Sequence, residues 1–311
     1  MTSCPHLATW SVQDIPDQTG RVIVITGANS GTGFAAAKVL AAKGATVILA
    51  CRNDAKAQAA VQAIRAAHPA AAVETVTLDL GSMASIRAAA GEILTRHGRL
   101  DLLLNNAGVM VPPAGKTTEG FETQFGTNHL GHFALTGLLL ERLRSTPGAR
   151  IVTMSSGAHK IGKMQFEDLH FERGYKPWAA YGQSKLANLL FTYELQKRLA
   201  KAGDATLAVA SHPGWARTEL QRTSFQNGLG KWFYGCFARF LSQDAHHGAL
   251  PLLRAALDPT AQGGDYYGPG GCMEFIGAPV KVKSNEHSHN TANQQRLWQV
   301  SEQLTGVSFP L

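Results

Sequence analysis

Apolar and polar positions fall into two kinds of block along the chain. Short, largely β-branched runs, "RVIVIT" (21–26), "TVILAC" (46–51), "VETVTLDL" (73–80), "LDLLLNNAG" (100–108), "RIVTMSS" (150–156) and "TLAVASHPG" (206–214), each end in glycine or small polar residues, as buried parallel strands do. Between them lie stretches of helical length. These are 34–43 ended by Gly44, 54–67 closed by Pro69, 82–97 with Ser82 as N-cap, one around 121–145, and a long one over 181–202. Strands alternating with helices predict an α/β fold: one doubly wound, Rossmann-type parallel sheet with helices on both faces. No repeat or linker divides residues 1–311, so a single domain is expected.

Composition narrows the partners. The chain is 44% hydrophobic and 16% charged, which suits a globular fold. Its net charge of +7 is scattered rather than clustered, so an anionic ligand is expected and a nucleic-acid partner is not. Cys4, Cys51, Cys236 and Cys272 are far apart with no C-x-x-C pair, which argues against a zinc ribbon, a redox motif or a disulfide framework. A reducing, cytoplasmic setting fits. The start, "MTSCPHLATWSVQDIPDQTG", lacks a basic and an apolar leader region, and no run reaches the roughly 18 apolar residues of a spanning helix. Peripheral membrane contact stays open. His246–His247 and His287/His289 lack metal-ligand spacing and read as surface histidines, so no metal is expected.

Ligands of doubly wound sheets sit at the carboxyl ends of the strands. Here those ends are Gly27–Gly33, Cys51–Asn53, Asp79–Leu80, Asn105–Gly108, Ser155–Ser156 and His212–Gly214, all small, polar or glycine-containing. In "TGANSGTGF" (26–34), Gly27, Gly31 and Gly33 are spaced G-x-x-x-G-x-G and miss the G-x-G-x-x-G fingerprint. Taken alone, the glycines serve either a tight turn or a phosphate mount. A strand before and a helix after them would aim backbone N–H groups and the helix dipole at a pyrophosphate.

Four motifs then occur in order between residue 21 and about residue 220: T-G-x-x-x-G-x-G (Thr26–Gly33), "NNAG" (105–108), "YGQSK" (181–185) and "HPGWARTEL" (212–220). Together they resemble the short-chain dehydrogenase/reductase family. The strings "GFETQFGTNHLGHFALT" and "SKLANLLFTYELQKRL" are similar to its retinol dehydrogenase and protochlorophyllide reductase branch. The resemblance implies a catalytic set of Ser156, Tyr181 and Lys185, with Asn128 supporting a water path to the lysine. Tyr181 and Lys185 are four apart and share a helix face, so the ammonium is expected to favour the phenolate.

It also implies a nicotinamide cofactor on Gly27, Asn29, Ser30, Gly31, Thr32 and Gly33, with Asp79 and Leu80 beside the adenine. Asn106, Ala107 and Gly108 would flank a ribose, Tyr181 and Lys185 would touch the cofactor, and Pro213, Gly214 and Thr218 would line the carboxamide side. After the second strand come Arg52 and Asn53 where an acid would mark NAD(H), so NADP(H) is preferred and NAD(H) remains possible. The alternative for Arg52 is a solvated surface charge.

The expected function is NADP(H)-dependent oxidoreduction of a hydroxyl or carbonyl on a lipophilic small molecule. The alternatives are a non-catalytic NADP(H) sensor and a light-driven C=C reductase. Two variable segments bear on the substrate. One, about 157–180, is longer than is usual in the family, and its Phe166, Phe171, Tyr175 and Trp178 either line an apolar entrance or anchor a loop. The other, 219–247, is rich in aromatics and reads as a lid, a core helix or a membrane contact. Thr32 stands where the family carries an aliphatic residue, which bears on helix–strand packing there. A homodimer through the helices at 121–145 and 181–202 is possible, although the same apolar faces would serve a monomer's core.

Overall fold

In the computed structural model of the protein, residues 10–214 and 244–311 are described. Eight strands form one sheet: β1 (Val22–Thr26), β2 (Thr46–Cys51), β3 (Val73–Thr77), β4 (Leu102–Asn105), β5 (Arg150–Met154), β6 (Leu207–Ser211), β7 (Tyr266–Pro269) and β8 (Pro279–Lys281). Their order is β3-β2-β1-β4-β5-β6-β7-β8, parallel throughout except for the antiparallel β7–β8 pair. β1 lies between β2 and β4, so the chain winds outward in both directions from it. This leaves a crevice beyond the carboxyl end of β1.

Among the described residues the α-helices are α1 (Gly31–Ala42), α2 (Asp54–Ala67), α3 (Met83–Arg96), α4 (Thr123–Phe125), α5 (Gly131–Arg144), α6 (Pro177–Lys201), α7 (Ala245–Leu257) and α8 (Thr291–Thr305). Alternate residues of β1 serve opposite layers, because successive strand side chains point to opposite faces. Ile23 and Ile25 pack with α1, α2 and α7. Val22 and Val24 pack with α3, α5 and α6. With both faces covered, all five β1 residues are buried, which is why its sequence shows no polar alternation. Ser82 caps α3 as expected, and its hydroxyl accepts the Ser85 N–H. The helix expected around 121–145 is α4 and α5 joined without a break by a π-helical turn, Gly126–Leu130.

β7, β8, α7 and α8 went unanticipated in the sequence pattern. β7 reads "YYGP" and β8 "PVK", and neither has the β-branched run that marks the inner strands. Of the variable segment at 219–247, residues 219–243 lie outside the described residues, as does Thr218. Its last residues begin α7, with Asp244 as N-cap and His246 and His247 exposed.

The C-terminal segment closes one face of the fold. Trp298 of α8 and Phe309 pack against Phe133 of α5 and Phe191 of α6, with ring centroids 4.5–6.2 Å apart. These contacts cover apolar faces of α5 and α6 with this chain's own residues. In the 157–180 segment, Phe171 is buried, and Phe166 packs on a cluster containing Phe121, Phe125 and Leu297. Tyr175 donates its hydroxyl to the Pro112 carbonyl. These three aromatics anchor the loop, while Trp178 stays 42% exposed with its ring edge toward Tyr181.

Two buried histidines tie these layers together. His129 Nε2 meets Ser301 Oγ of α8 at 2.9 Å, and His132 bridges Thr26 and Asn128. Burial pushes their pKa values down to about 3 and about 4. Between those values and the ordinary pKa near 6.5, the unfolded chain binds protons that the folded chain refuses, so stability falls as pH falls. The thermal midpoint should hold above about pH 6.5 and drop progressively toward pH 4. A midpoint unchanged across that interval in a pH-resolved melting series would show that these rings do not remain neutral in the fold.

Candidate active site

The turn from β1 into α1 is built for close approach. Gly27 and Gly31 have φ of +65° and +56°, a left-handed backbone that glycine adopts without a Cβ penalty. A Cβ on Gly33 would come within 2.6 Å of the Gly27 carbonyl and 2.5 Å of Asn106 Nδ2. Ser30 is the N-cap residue of α1 but makes no side-chain cap, and the first turn carries no acidic residue. The leading N–H groups of the helix are therefore not neutralised by a side chain, an arrangement that can hold an anionic pyrophosphate. Thr32 Oγ1 donates to Asn106 Oδ1 at 3.0 Å, so its hydroxyl ties α1 to the end of β4 where an aliphatic residue could only pack.

Thr26 fixes the neighbouring turn. Its Oγ1 accepts the N–H groups of Asn106 and Ala107, each at 2.9 Å, and the Asn106 amide donates back to the Thr26 carbonyl at 2.9 Å. His132 Nδ1 donates to the Asn128 carbonyl at 2.9 Å, which leaves Nε2 bare to accept the Thr26 hydroxyl proton. Ala107 lies over Gly27, where a Cβ would be 2.9 Å from its own. Gly108 lies over Asn128 Oδ1 and Lys185 Nζ, with the corresponding gaps 3.1 and 3.4 Å.

Three expected cofactor residues are also engaged locally. Arg52 and Asn53 are exposed at the end of β2, and Asn53 Oδ1 accepts the Lys56 N–H to cap α2. Asp79 Oδ1 accepts the Gly81 N–H at 2.9 Å. Leu80 is buried under Gly131, whose missing Cβ would overlap the Leu80 carbonyl. Pro213 and Gly214 follow β6 half-buried, Gly214 with φ of +66°.

Ser156, Tyr181 and Lys185 meet beside these turns. The Ser156 hydroxyl lies near the Tyr181 phenol and favours its ionisation. Ser155 is spent elsewhere, donating to the Lys185 carbonyl at 2.8 Å. Lys185 Nζ lies 5.8 Å from the Tyr181 ring centroid and donates to the Met154 carbonyl at 3.2 Å. The expected lowering of the phenol by the ammonium is not found. Burial pushes Tyr181 up to about 12, against a smaller opposing effect of Ser156, and burial pushes Lys185 down to about 8. Desolvation outweighs the pairing because both groups are enclosed and the ammonium faces a carbonyl rather than the phenol oxygen. At neutral pH Tyr181 is thus a protonated phenol, a proton donor with a hydroxyl partner at its side.

Asn128 is a clamp. Its Oδ1 accepts the Val109 N–H at 2.7 Å, while Nδ2 donates to the Val109 carbonyl at 2.9 Å and to Ser184 Oγ at 3.0 Å. It joins the β4 turn to α6. Sequence reasoning passed over Thr26, His132, Ser184 and Asn188 as supports. Asn188 Nδ2 shares the Met154 carbonyl with Lys185, at 2.9 Å. The available signal was spacing: Ser184 and Asn188 flank Lys185 on one helix, and His132 lies four residues past Asn128.

Comparison with known proteins agrees with this geometry. The family profile described as "short chain dehydrogenase" matches residues 21–228. Retinol dehydrogenase 12 of Mus musculus is 44% identical over 290 residues, covering 93% of this chain and 88% of that one. Polyprenol dehydrogenase of Homo sapiens is 39% identical over 297 residues, covering 94% and 87%. A crystal structure of an uncharacterised protein from Mycobacterium paratuberculosis superposes with a TM-score of 0.82 at 41% identity, covering 97% of this chain and all of that one. With the family motifs gathered at the strand ends of a sheet of this order, the chain belongs to the short-chain dehydrogenase family, in its retinol dehydrogenase-like branch, and is an oxidoreductase of the alcohol dehydrogenase type.

Proposed function

We propose that the protein is an NADP(H)-dependent oxidoreductase that interconverts a hydroxyl and a carbonyl on a lipophilic substrate. The observation that carries this reading is the meeting of Ser156, Tyr181 and Lys185 beside the glycine turn. The turn residues Gly27, Asn29, Ser30, Gly31, Thr32 and Gly33 would hold the pyrophosphate, Asn106–Gly108 a ribose, and Arg52 a 2′-phosphate. When bound, the nicotinamide would supply or accept the hydride.

The chain's own residues handle the oxygen and the proton. Ser156 Oγ holds the substrate oxygen next to the phenol. In reduction Tyr181 Oη gives its proton to that oxygen, and in oxidation it takes the proton back. Lys185, enclosed beneath Gly108, places a positive charge near the phenolate left by proton donation. Asn128 holds the β4 turn and α6 in register around that lysine.

Two observations support a lipophilic substrate. Retinol dehydrogenase 12 and polyprenol dehydrogenase are both named for isoprenoid alcohols. Trp178 presents an apolar, partly exposed ring next to Tyr181.

Tyr181→Phe should keep NADPH binding and lower kcat by about 10²-fold or more, the usual range for a lost general acid. Wild-type-like turnover in a steady-state assay would reject the proton-transfer role. NADPH at about 100 times its dissociation constant should stabilise the fold by ~2.7 kcal/mol, and NADH at the same concentration by less. Arg52→Ala should narrow that difference by about 1.4 kcal/mol, or tenfold in Kd. Equal protection by the two nucleotides in the wild type would reject the assignment of Arg52. Across a series of primary alcohols, kcat/KM should rise by up to about fourfold per methylene, as ~0.8 kcal/mol per buried CH2 requires. A flat series would exclude an apolar pocket.

A further inference from the structure

A second polar junction lies outside the Ser156–Tyr181–Lys185 set. His212, immediately after β6, is 1% exposed. Its ring lies against Gly268 of β7, where a Cβ would overlap Nε2, so the strand leaves a glycine-sized seat for it. His212 Nδ1 accepts the Gly214 N–H at 3.3 Å and so carries the lone pair. The proton is then on Nε2, which faces Glu274 Oε2 at 3.3 Å, a close charged contact without hydrogen-bond geometry.

Glu274 reaches this position through a strained turn. Met273 and Glu274 have φ of 50° and 60°, a left-handed conformation that non-glycine residues keep only where their surroundings enforce it. The same carboxylate meets Lys160 Nζ at 3.3 Å. A carboxylate at one ring nitrogen and a backbone group at the other fix both the tautomer and the orientation of a histidine.

The junction spans both sides of the site. Lys160 belongs to the turn that Ser156 begins, and within that turn His159 Nδ1 donates to the Ser156 carbonyl at 2.6 Å while His159 Nε2 accepts the Asn285 N–H. Tyr266 fills the gap between the two rings, with centroids 5.7 Å from His159 and 5.1 Å from His212. At the other end, a Cβ on Gly214 would overlap the Phe275 carbonyl, so the loop carrying Glu274 bears directly on the Pro213–Gly214 turn. Group transfer between two bound partners loses about 10²-fold for a misplacement near 1 Å, so the relative placement of these segments matters.

We infer that Glu274 and His212 are positioning residues that lock the Pro213–Gly214 turn to the Ser156 segment and so set the cofactor end of the site against the substrate oxygen. This rests on the function proposed above, and neither residue touches the reacting atoms.

The test compares NADPH dissociation constants, read by nucleotide fluorescence, with thermal midpoints of the cofactor-free protein. It uses the full chain as wild type, His212→Asn, His212→Gln and Glu274→Asn. An asparagine amide oxygen can take the place of Nδ1, whereas a glutamine amide falls near Nε2 and leaves the Gly214 N–H unpaired. Asparagine at 274 tolerates the left-handed backbone but is too short to reach the ring.

His212→Gln, which loses the Gly214 hydrogen bond, and Glu274→Asn, which loses the charged contact, should each bind NADPH roughly fivefold to tenfold more weakly, with KM for the nucleotide rising more than kcat falls. His212→Asn, which keeps the Gly214 N–H paired but no longer reaches Glu274, should lose about as much affinity as Glu274→Asn. Cofactor-free midpoints should stay close to wild type. Equal affinities in all four proteins would overturn the inference, as would affinity losses that track falling midpoints, the mark of a merely structural role. If the His212 variants fail to fold, Glu274→Asn, at a partly exposed loop position, decides by the same two readouts. A wild type that does not bind NADPH would overturn the proposed function and this inference together. Wild-type binding with unaffected variants would overturn the inference alone.

Discussion

The hydroxyl of Thr26 is the joint on which the site depends. It sits at the end of β1, where the sheet winds outward in both directions, and accepts two backbone N–H groups from the β4 turn while donating to His132. Since His132 is itself held by the Asn128 carbonyl, one chain of hydrogen bonds runs from the glycine turn to the helix that carries Asn128. With His132 Nδ1 donating to the Asn128 carbonyl, Nε2 is left to accept from the Thr26 hydroxyl, whose longer alternative acceptor is the Leu104 carbonyl at 3.4 Å. Such a network in a dry interior is stable only when complete. That requirement places Gly27 under Ala107 and Gly108 over Lys185.

Burial then sets the chemistry. α6 is enclosed on nearly every side from Ala180 to Leu195, between the sheet, the turn after β5 and α8. Enclosure holds Tyr181 as a phenol and brings Lys185 closer to neutral pH than an exposed lysine, opposite in direction to what a simple ion–phenol pairing would do to the tyrosine. A protonated donor beside a serine hydroxyl suits an oxygen that gains charge during reaction. Asn128, with its side chain committed to Val109 and Ser184, acts on this chemistry by holding the lysine's helix in place.

The outer elements complete the enclosure. The aromatic cluster of Phe133, Phe191, Trp298 and Phe309 seals the layer behind α5 and α6, and the 157–180 segment is anchored by Phe166, Phe171 and Tyr175. With those rings turned inward, Trp178 remains the aromatic of that segment at the mouth of the site. The junction of His212, Glu274 and Lys160 ties the turn that follows β5 to the one that follows β6.

Much of this was legible in the sequence by itself. The β-branched runs and their spacing determined six of the eight strands, and where a strand is buried on both faces, as β1 is, it is apolar throughout. The alanine-rich stretches determined the helices between them, with Ser82 and Gly44 marking ends through local backbone chemistry. The glycine turn and the pairing of Tyr181 with Lys185 were equally visible, since both depend on residues a few positions apart. Tertiary structure alone decided the rest. β7 and β8 are strands because their neighbours complete the sheet, not because "YYGP" or "PVK" favours extension. The phenol's direction of shift depended on enclosure, which no local pattern encodes. His212 and Glu274 lie far apart in the chain and meet only because β6 and β7 are adjacent. Contacts within one turn of helix or strand are written in local sequence, whereas contacts between distant segments, and the desolvation they cause, exist only after the chain has closed around them.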